Sequence, residues 1–244
     1  MQMFNLHCRS FLPELMDTGN YTYVQFKACL SDIRRINRWT YAYQPTLTAV
    51  EALYRQRPSG LSPLTVVDVG FGAGDMLARL AQLARRKHLH LRLLGIDINP
   101  WAVQVARELN GPDTEVDYCC GDYRRYAFTT PIDVVISSLF THHLDDRQIV
   151  QFITWMNRVC RIGWFISDIH RHALPYHGIV WLSRLRRLSP MVRNDAPLSV
   201  ARSFRRRDWR SYLSQVANAH FAVDVRWRFP FKYTVSARRE RSDV

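Results

Sequence analysis

Residues 64–70 (LTVVDVG) form a short, β-branched apolar run that stops at glycine. Residues 75–87 (DMLARLAQLARRK) then space their apolar side chains as a helix does, with Asp75 at the start. The first reads as a buried parallel strand and the second as the helix that follows it. The alternation repeats. LRLLGIDI (91–98) predicts a second strand, and PWAVQVARELN (100–110) a second helix with Pro100 in its first turn. TEVDYCCGD (114–122) and IDVVISSLF (132–140) predict strands three and four, DDRQIVQFITWMNRVC (145–160) a helix, and IGWFISDI (162–169) a fifth strand. This pattern predicts an α/β fold: a doubly wound, mostly parallel sheet with helices on both faces. FAVDVRWRF (221–229) and FKYTVSARR (231–239), joined at Pro230, add an antiparallel hairpin at the sheet edge and bring the sheet to seven strands.

Two regions stand outside the alternation. Residues 21–39 and 46–57 have helical spacing, the second ended before Pro58-Ser59-Gly60. Residues 1–60 therefore read as a helical cover on a domain spanning 61–244. Residues 170–205 are too long for an ordinary connection and leave the carboxyl end of the fifth strand, where open sheets hold ligands. They predict an inserted helical lid over a substrate, ahead of a helix at 208–217.

Composition sharpens this picture. Of 244 residues, 47% are apolar and 12% aromatic, which excludes a disordered chain. No apolar run approaches the ~20 residues of a membrane helix. The start, MQMFNLHCRSFLPELMD, lacks the basic head and apolar stretch of a secretory signal, so a cytoplasmic protein is expected. Five cysteines, with no CxxC and with Cys119 and Cys120 adjacent, suit a reducing compartment and argue against a disulfide frame or zinc site. The net charge of +13 is unevenly placed. Residues 1–150 hold 16 basic and 15 acidic side chains, whereas residues 151–244 hold 18 and 6.

The sharpest local signal is Val66-Val67-Asp68-Val69-Gly70-Phe71-Gly72-Ala73-Gly74-Asp75. A strand runs into a glycine turn that opens a helix, so backbone can approach a nucleotide-like ligand closely. The spacing G-x-G-x-G differs from the G-x-G-x-x-G of dinucleotide binders, and Asp75 occupies the helix start that a pyrophosphate would need. The turn suits a ligand without phosphates and cationic at its centre. Asp97 ends the second strand, 23 residues after Gly74, where a carboxylate can accept both hydroxyls of a ribose.

VDVGFGAGD, GIDIN, CCGDY and DVVISSLFTHHL resemble the successive motifs of the class I S-adenosylmethionine-dependent methyltransferases. The resemblance spans residues 64–170, and the C-terminal hairpin is similar to the family's reversed terminal strand. It implies S-adenosylmethionine as cofactor. Asp68 and the turn Gly70, Gly72, Gly74 would line the methionine end, Asp97 would hold the ribose, and Ile98 would pack on the adenine. Asp122 would bond the adenine amino group with Tyr123 beside it, and Ser137 and Ser138 would border the sulfonium.

Where amine-methylating nucleic-acid enzymes carry Asn/Asp-Pro-Pro-aromatic, this chain has Ser-Ser-Leu-Phe-Thr-His-His-Leu. It resembles the small-molecule branch, near the ubiquinone/menaquinone-type and the polyketide- and phenol-modifying enzymes of secondary metabolism. NDAPLSVARSF (194–204) looks like the latter group. The expected reaction is O-methylation of a small aromatic, phenolic or polyketide-derived acceptor. C-methylation of a quinone-like ring, RNA methylation and a non-catalytic cofactor-binding scaffold are the alternatives.

A phenol or enol must lose a proton, and histidine titrates near neutrality. His143 is the first candidate base and His142 the second, with Asp168 or Asp145 orienting the ring. His170, His172, His177 and Trp181 are expected at the substrate. His142-His143 and His170-x-His172 also admit a metal reading, but neighbouring residues rarely point at one ion, so no metal is assigned. Phe26, Trp39, Tyr41 and Tyr43 would build an apolar cover, and Arg34, Arg35 or Arg38 could meet the cofactor carboxylate. WLSRLRRL (181–188) reads as a basic amphipathic helix suited to an anionic membrane surface or an acidic carrier protein. SFRRRDWRSY (203–212) could grip phosphates beside aromatics; the fourth-strand motif weighs against amine methylation of bases, though not against 2′-hydroxyl or carbon methylation, and a nucleic-acid partner is not expected.

Overall fold

A computed structural model describes residues 4–57, 63–111, 115–217 and 220–240. The expected boundary at residue 60 lies outside the described residues. Strands β1 (Leu64–Val69), β2 (Leu91–Asp97), β3 (Val116–Cys120), β4 (Ile132–Ser138), β5 (Cys160–Ile169), β6 (Phe221–Arg228) and β7 (Lys232–Arg239) form one sheet in the order β3-β2-β1-β4-β5-β7-β6. The pairs among β1 to β5 are parallel, and β7 runs antiparallel between β5 and β6. This is the seven-stranded α/β sheet with a terminal hairpin that the alternation predicts.

Period two along the strands divides the core. Val66, Val134 and Ile136 face one layer, whereas Val67, Val69, Val135 and Ile166 face the other. Helices α3 (Gln44–Arg55), α4 (Asp75–Lys87) and α5 (Pro100–Asn110) accompany the first layer, α4 through Leu77, Leu80 and Ala81. Helices α6 (Asp146–Val159) and α9 (Arg206–Ser214) cover the second, with Phe152, Met156, Trp209 and Tyr212 buried against the sheet. Asp145, considered above as an orienting acid, is the N-cap of α6 and accepts from the Gln148 amide at 2.8 Å.

Near the amino terminus come α1 (Leu15–Thr18) and α2 (Tyr23–Trp39), the latter started by a Thr22–Gln25 capping box. Residues 170–205 hold two helices, α7 (Ala173–Leu185) and α8 (Pro190–Arg202). The helix expected over 181–188 therefore ends at Leu185. Arg187 turns left-handed (φ 48°), and Leu188 points inward to a cluster with Cys29, Met191 and Val192. In this way α2 and α8 close over the carboxyl ends of the strands. Chain order reverses between β1 and β4, the switch point where such sheets hold ligands.

Candidate functional site

A cavity of about 1270 Å³ opens above that switch point. Its floor is the glycine turn. Gly70, Gly72 and Gly74 all have positive φ (75°, 53° and 68°). A Cβ on Gly70 would collide with the Phe140 ring, and one on Gly74 would stand 2.6 Å from the Tyr118 hydroxyl. Glycine is required at both for space as well as conformation.

Three carboxylates surround the turn. Asp68 is buried at the cavity wall, and its Oδ1 has no hydrogen-bond partner. Burial, with Asp75 and Asp97 nearby, holds its carboxyl well above the ordinary range. Asp75 accepts from the Tyr43 hydroxyl. Asp97 accepts from the amides of Gly72 and Asn99, both at 2.9 Å, and burial also raises its pKa. An orphaned carboxylate oxygen among like charges is a receptor for a cation, and an ammonium fits it.

The remaining expected cofactor residues are placed as follows. Ile98, Asp122, Tyr123 and Ser138 line the cavity. Ile98 is largely exposed there, and Asp122 is held below its usual pKa by Arg124, whose guanidinium bonds both its oxygens. Tyr123 packs edge-on against Trp155 at 4.8 Å. Ser137 is fully buried, donates to the Val69 carbonyl at 3.2 Å and does not line the cavity. Of the cover aromatics, Phe26 and Tyr43 line the cavity, whereas Trp39 and Tyr41 are exposed outside it. Arg34 is turned to the Leu109 carbonyl at 2.6 Å and Arg35 to Asp32 at 3.0 Å, and neither they nor Arg38 line the cavity.

The far wall is a polar cluster on the turn Thr141–His143. Asp168, at the end of β5, is fully buried and accepts four hydrogen bonds: Oδ1 from His142 Nδ1 (2.8 Å) and the Ile169 amide (2.7 Å), Oδ2 from the Thr141 hydroxyl (2.6 Å) and the His142 amide (3.1 Å). Burial alone would raise its pKa, but His142 and these donors hold it down at about 2. Asp168 is therefore ionised, so His142 Nδ1 donates to it and Nε2 is the ring nitrogen left outside that bond, on a residue that lines the cavity. His143 is held differently. Its Nδ1 lies 2.8 Å from Asp17, and its Nε2 is 4.0 Å from Glu14. Burial, which lowers its pKa, is overcome by Glu14 and Asp17, which raise it to about 9. His143 is protonated at neutral pH, and the orienting acid at Asp168 serves His142.

Glu14, Asp17 and Arg202 of this cluster are not signalled by any sequence motif. Asp195, Ser199 and Arg202 are spaced four and three apart and share one face of α8. Asp195 accepts from the amides of Leu15 and Met16 at 2.9 and 3.1 Å, Ser199 donates to Glu14 at 2.9 Å, and Arg202 bonds Asp17 at 2.9 Å. NDAPLSVARSF thus holds the ELMD segment in place. Arg202 also donates to the carbonyls of His142 (3.0 Å) and His143 (2.8 Å), and Arg9 to that of Leu144 (2.6 Å), so two arginines clamp the histidine turn. The 194–204 stretch itself is the one hint of this arrangement, because its partners on the ELMD segment lie about 180 residues away in sequence.

Glu14, His142 and His143 each offer one ligand atom within 4.8 Å of the others, the one such group among the described residues. Arg202 Nε is 3.8 Å from Glu14 Oε1, and its charge together with that of His143 already balances the two carboxylates. A lysine missing from the expected set, Lys232, is buried in the same cavity wall. Burial lowers its pKa to about 8 against the attraction of Asp168.

The four expected substrate residues do not line the cavity. His172 caps α7 through Nδ1 to the Leu174 amide at 3.2 Å, and His170 accepts from the Trp227 indole at 3.3 Å, its pKa lowered by burial to about 4. His177 and Trp181 are exposed on α7. In their place, Leu174, Ile179 and Leu182 form the α7 side of the cavity.

Residues 66–163 match the family described as a methyltransferase domain. No curated protein sequence matches the chain. Among solved structures, the plantazolicin methyltransferase BpumL bound to S-adenosylhomocysteine is 14% identical with a TM-score of 0.64, covering 90% of this chain and 96% of its own. The magnesium protoporphyrin IX methyltransferase of Synechocystis PCC 6803 with bound S-adenosylmethionine is 18% identical with a TM-score of 0.51, covering 82% and 81%. Human N-acetylserotonin methyltransferase, also with S-adenosylmethionine, is 15% identical with a TM-score of 0.62, covering 90% of this chain and 57% of that one. Residues 66–163 are thus similar to a methyltransferase domain, and the chain has the class I methyltransferase fold.

Proposed function

We propose that this chain is an S-adenosylmethionine-dependent methyltransferase that methylates a hydroxyl of a small aromatic or polyketide-derived acceptor, with His142 as the base. One juxtaposition carries the reading: the cavity that begins at the orphaned Asp68 and the glycine turn ends at the His142–Asp168 pair. Asp68 would take the cofactor's ammonium and Asp97 its ribose hydroxyls, with Ile98, Asp122 and Tyr123 around the adenine. S-adenosylmethionine supplies an electrophilic methyl group on a sulfonium.

The chain's own work is orientation and proton removal, because methyl transfer is an in-line displacement that depends on proximity. Asp168 keeps the Nδ1 proton of His142 in place, which leaves Nε2 to accept the acceptor's hydroxyl proton. The imidazolium so formed lies between Asp168 at 2.8 Å and Glu14 at 3.8 Å, and both stabilise it. Apolar walls from α2 and α7 exclude water from the transferring groups. C-methylation of a quinone-like ring would use the same base, and the position of the label in the product separates the two.

The test is transfer of a labelled methyl group from S-adenosylmethionine to a panel of phenols and enolisable polyketides, in wild type and in His142→Gln. The reading expects an O-methyl ether whose formation falls at least 100-fold in the variant, the lower end of base catalysis at about 10²–10⁴. Equal rates in both would remove His142 as the base.

A further inference from the structure

The outer face of α7 is apolar and has no partner among the described residues. Leu174, Trp181 and Leu185, spaced seven and four apart on one side of the helix, are 64, 76 and 78% exposed, and Gly178 between them faces open space. The turn between β6 and β7 continues this face. Phe229 is 78% and Trp227 47% exposed, and the turn adjoins the start of α7 because His172 stacks on Phe231 at 5.4 Å and His170 holds Trp227. Contiguous exposed apolar surface of this kind marks an interaction site.

The charge around the face has one sign. Residues 170–194 contain no Asp or Glu, and they expose Arg184, Arg186, Arg187 and Arg193. Arg186 lies over the Trp39 ring at 5.0 Å, which extends the aromatic and cationic surface onto α2. Other arginines of the basic half are spent inside the fold: Arg171 and Arg202 are buried on Asp208 and Asp17. This stretch of the lid thus carries exposed positive charge with no carboxylate within it. Leu174 both belongs to this face and lines the cavity, beside Phe11, Pro230 and Phe231.

We propose that this face docks on an anionic lipid bilayer, so that the cavity opens toward the membrane and draws a lipid-dissolved acceptor from it. Exposed leucines at the ends of α7 distinguish a bilayer from a nucleic acid, which offers stacking faces and phosphates but nowhere to bury aliphatic side chains. Arginines at the rim meet lipid headgroups while Trp and Phe enter the interface. No helix among the described residues is long and apolar enough to cross a membrane, so association is at the surface. Only the consequence for the acceptor rests on the methyltransferase reading; docking stands without it.

The test is flotation of the full chain with phosphatidylcholine vesicles and with vesicles also containing phosphatidylglycerol. Binding of S-adenosylhomocysteine is measured in parallel as an independent report on the cofactor site. Wild type is expected to float with the anionic vesicles. Trp181→Ser with Leu185→Ser should reduce partition about tenfold, and Arg186→Glu with Arg187→Glu about fivefold or more per charge reversed. Both variants alter exposed residues away from the cavity and should bind S-adenosylhomocysteine as wild type does. Wild type remaining with the aqueous fraction would overturn the proposal. So would variants that float unchanged, or capture by RNA or an acidic carrier protein at salt concentrations where vesicles do not bind. Loss of S-adenosylhomocysteine binding with flotation intact would count against the methyltransferase reading alone.

Discussion

Asp68→Asn should make the protein more stable and less able to bind cofactor. Asp68 is buried with one oxygen unpartnered and with Asp75 and Asp97 close by, so burial and repulsion raise its pKa well above 3.8. A carboxyl raised in the folded state keeps its proton while the unfolded chain releases it. Stability therefore declines as pH rises from near the unfolded pKa through the folded one. Every tenfold difference in proton affinity between the two states is worth about 1.4 kcal/mol. The amide removes the charge and most of this slope. The amide is as unpartnered as the carboxyl but carries no charge, so the relief at neutral pH without ligand is the linkage cost alone, about 1.4 kcal/mol for each tenfold difference. For a chain of this size each such tenfold step corresponds to a rise in Tm of about 3–6 °C. The same change removes the charged partner of the cofactor's ammonium. Breaking a buried charged pair costs about 2–5 kcal/mol, or roughly 30-fold and more in Kd for S-adenosylhomocysteine. Thermal unfolding of the apoprotein across pH 4–8, together with calorimetric titration, reads both effects. An Asp68→Asn protein that melts lower than wild type, or that binds S-adenosylhomocysteine as tightly, would refute the argument.

Asp168→Asn leaves two of the four donors facing an amide NH2, so methyl transfer should fall by about 10²-fold or more and Tm should drop, whereas His143→Gln should reduce transfer less than His142→Gln. His143, raised to about 9 from 6.5, contributes stability that is present below pH 6.5 and is lost as pH rises through about 9. The difference between wild-type and His143→Gln unfolding curves should show that alkaline loss, and a flat difference between pH 6 and 10 would contradict it. Gly74→Ala, at φ 68° with its Cβ 2.6 Å from Tyr118, should cost on the order of 1–3 kcal/mol in denaturant unfolding and weaken S-adenosylhomocysteine binding with it. A strong chelator should leave transfer unchanged, because Arg202 and His143 already neutralise Glu14 and Asp17; loss of transfer restored by a divalent ion would reassign Glu14, His142 and His143 as ligands.

What could be read in sequence was local. Helices at 75–87 and 100–110 have the expected bounds because Asp75 follows an αL glycine and Asn99, just before Pro100, accepts from the Trp101 amide, signals carried by neighbouring residues. The glycine turn and Asp97 were legible for the same reason: strand, turn and acid lie within one strand–helix–strand unit. Helix α8 was hidden. Pro197, a residue that signals a helix break, lies inside it, and its buried residues leave no clean polar face, since it packs against α1, α2, α7 and the histidine turn together. The assignment of Asp168 to His142 rather than His143 depends on which way a three-residue turn faces, and residue spacing does not encode that. Glu14 and Asp17 reach the site only by tertiary docking on α8. Net charge did not locate the basic surface of the C-terminal half, because it does not distinguish Arg171 and Arg202, buried on carboxylates, from Arg186 and Arg187 at the surface.

Calorimetric titration of the apoprotein with S-adenosylhomocysteine, beside Asp97→Ala, tests the central claim most directly. Asp97 lines the cavity while accepting from the Gly72 and Asn99 amides, so the account predicts one-to-one micromolar binding that the variant loses or weakens badly. Wild type that releases no heat and gains no thermal stability with S-adenosylhomocysteine, or a variant that binds as well as wild type, would contradict it.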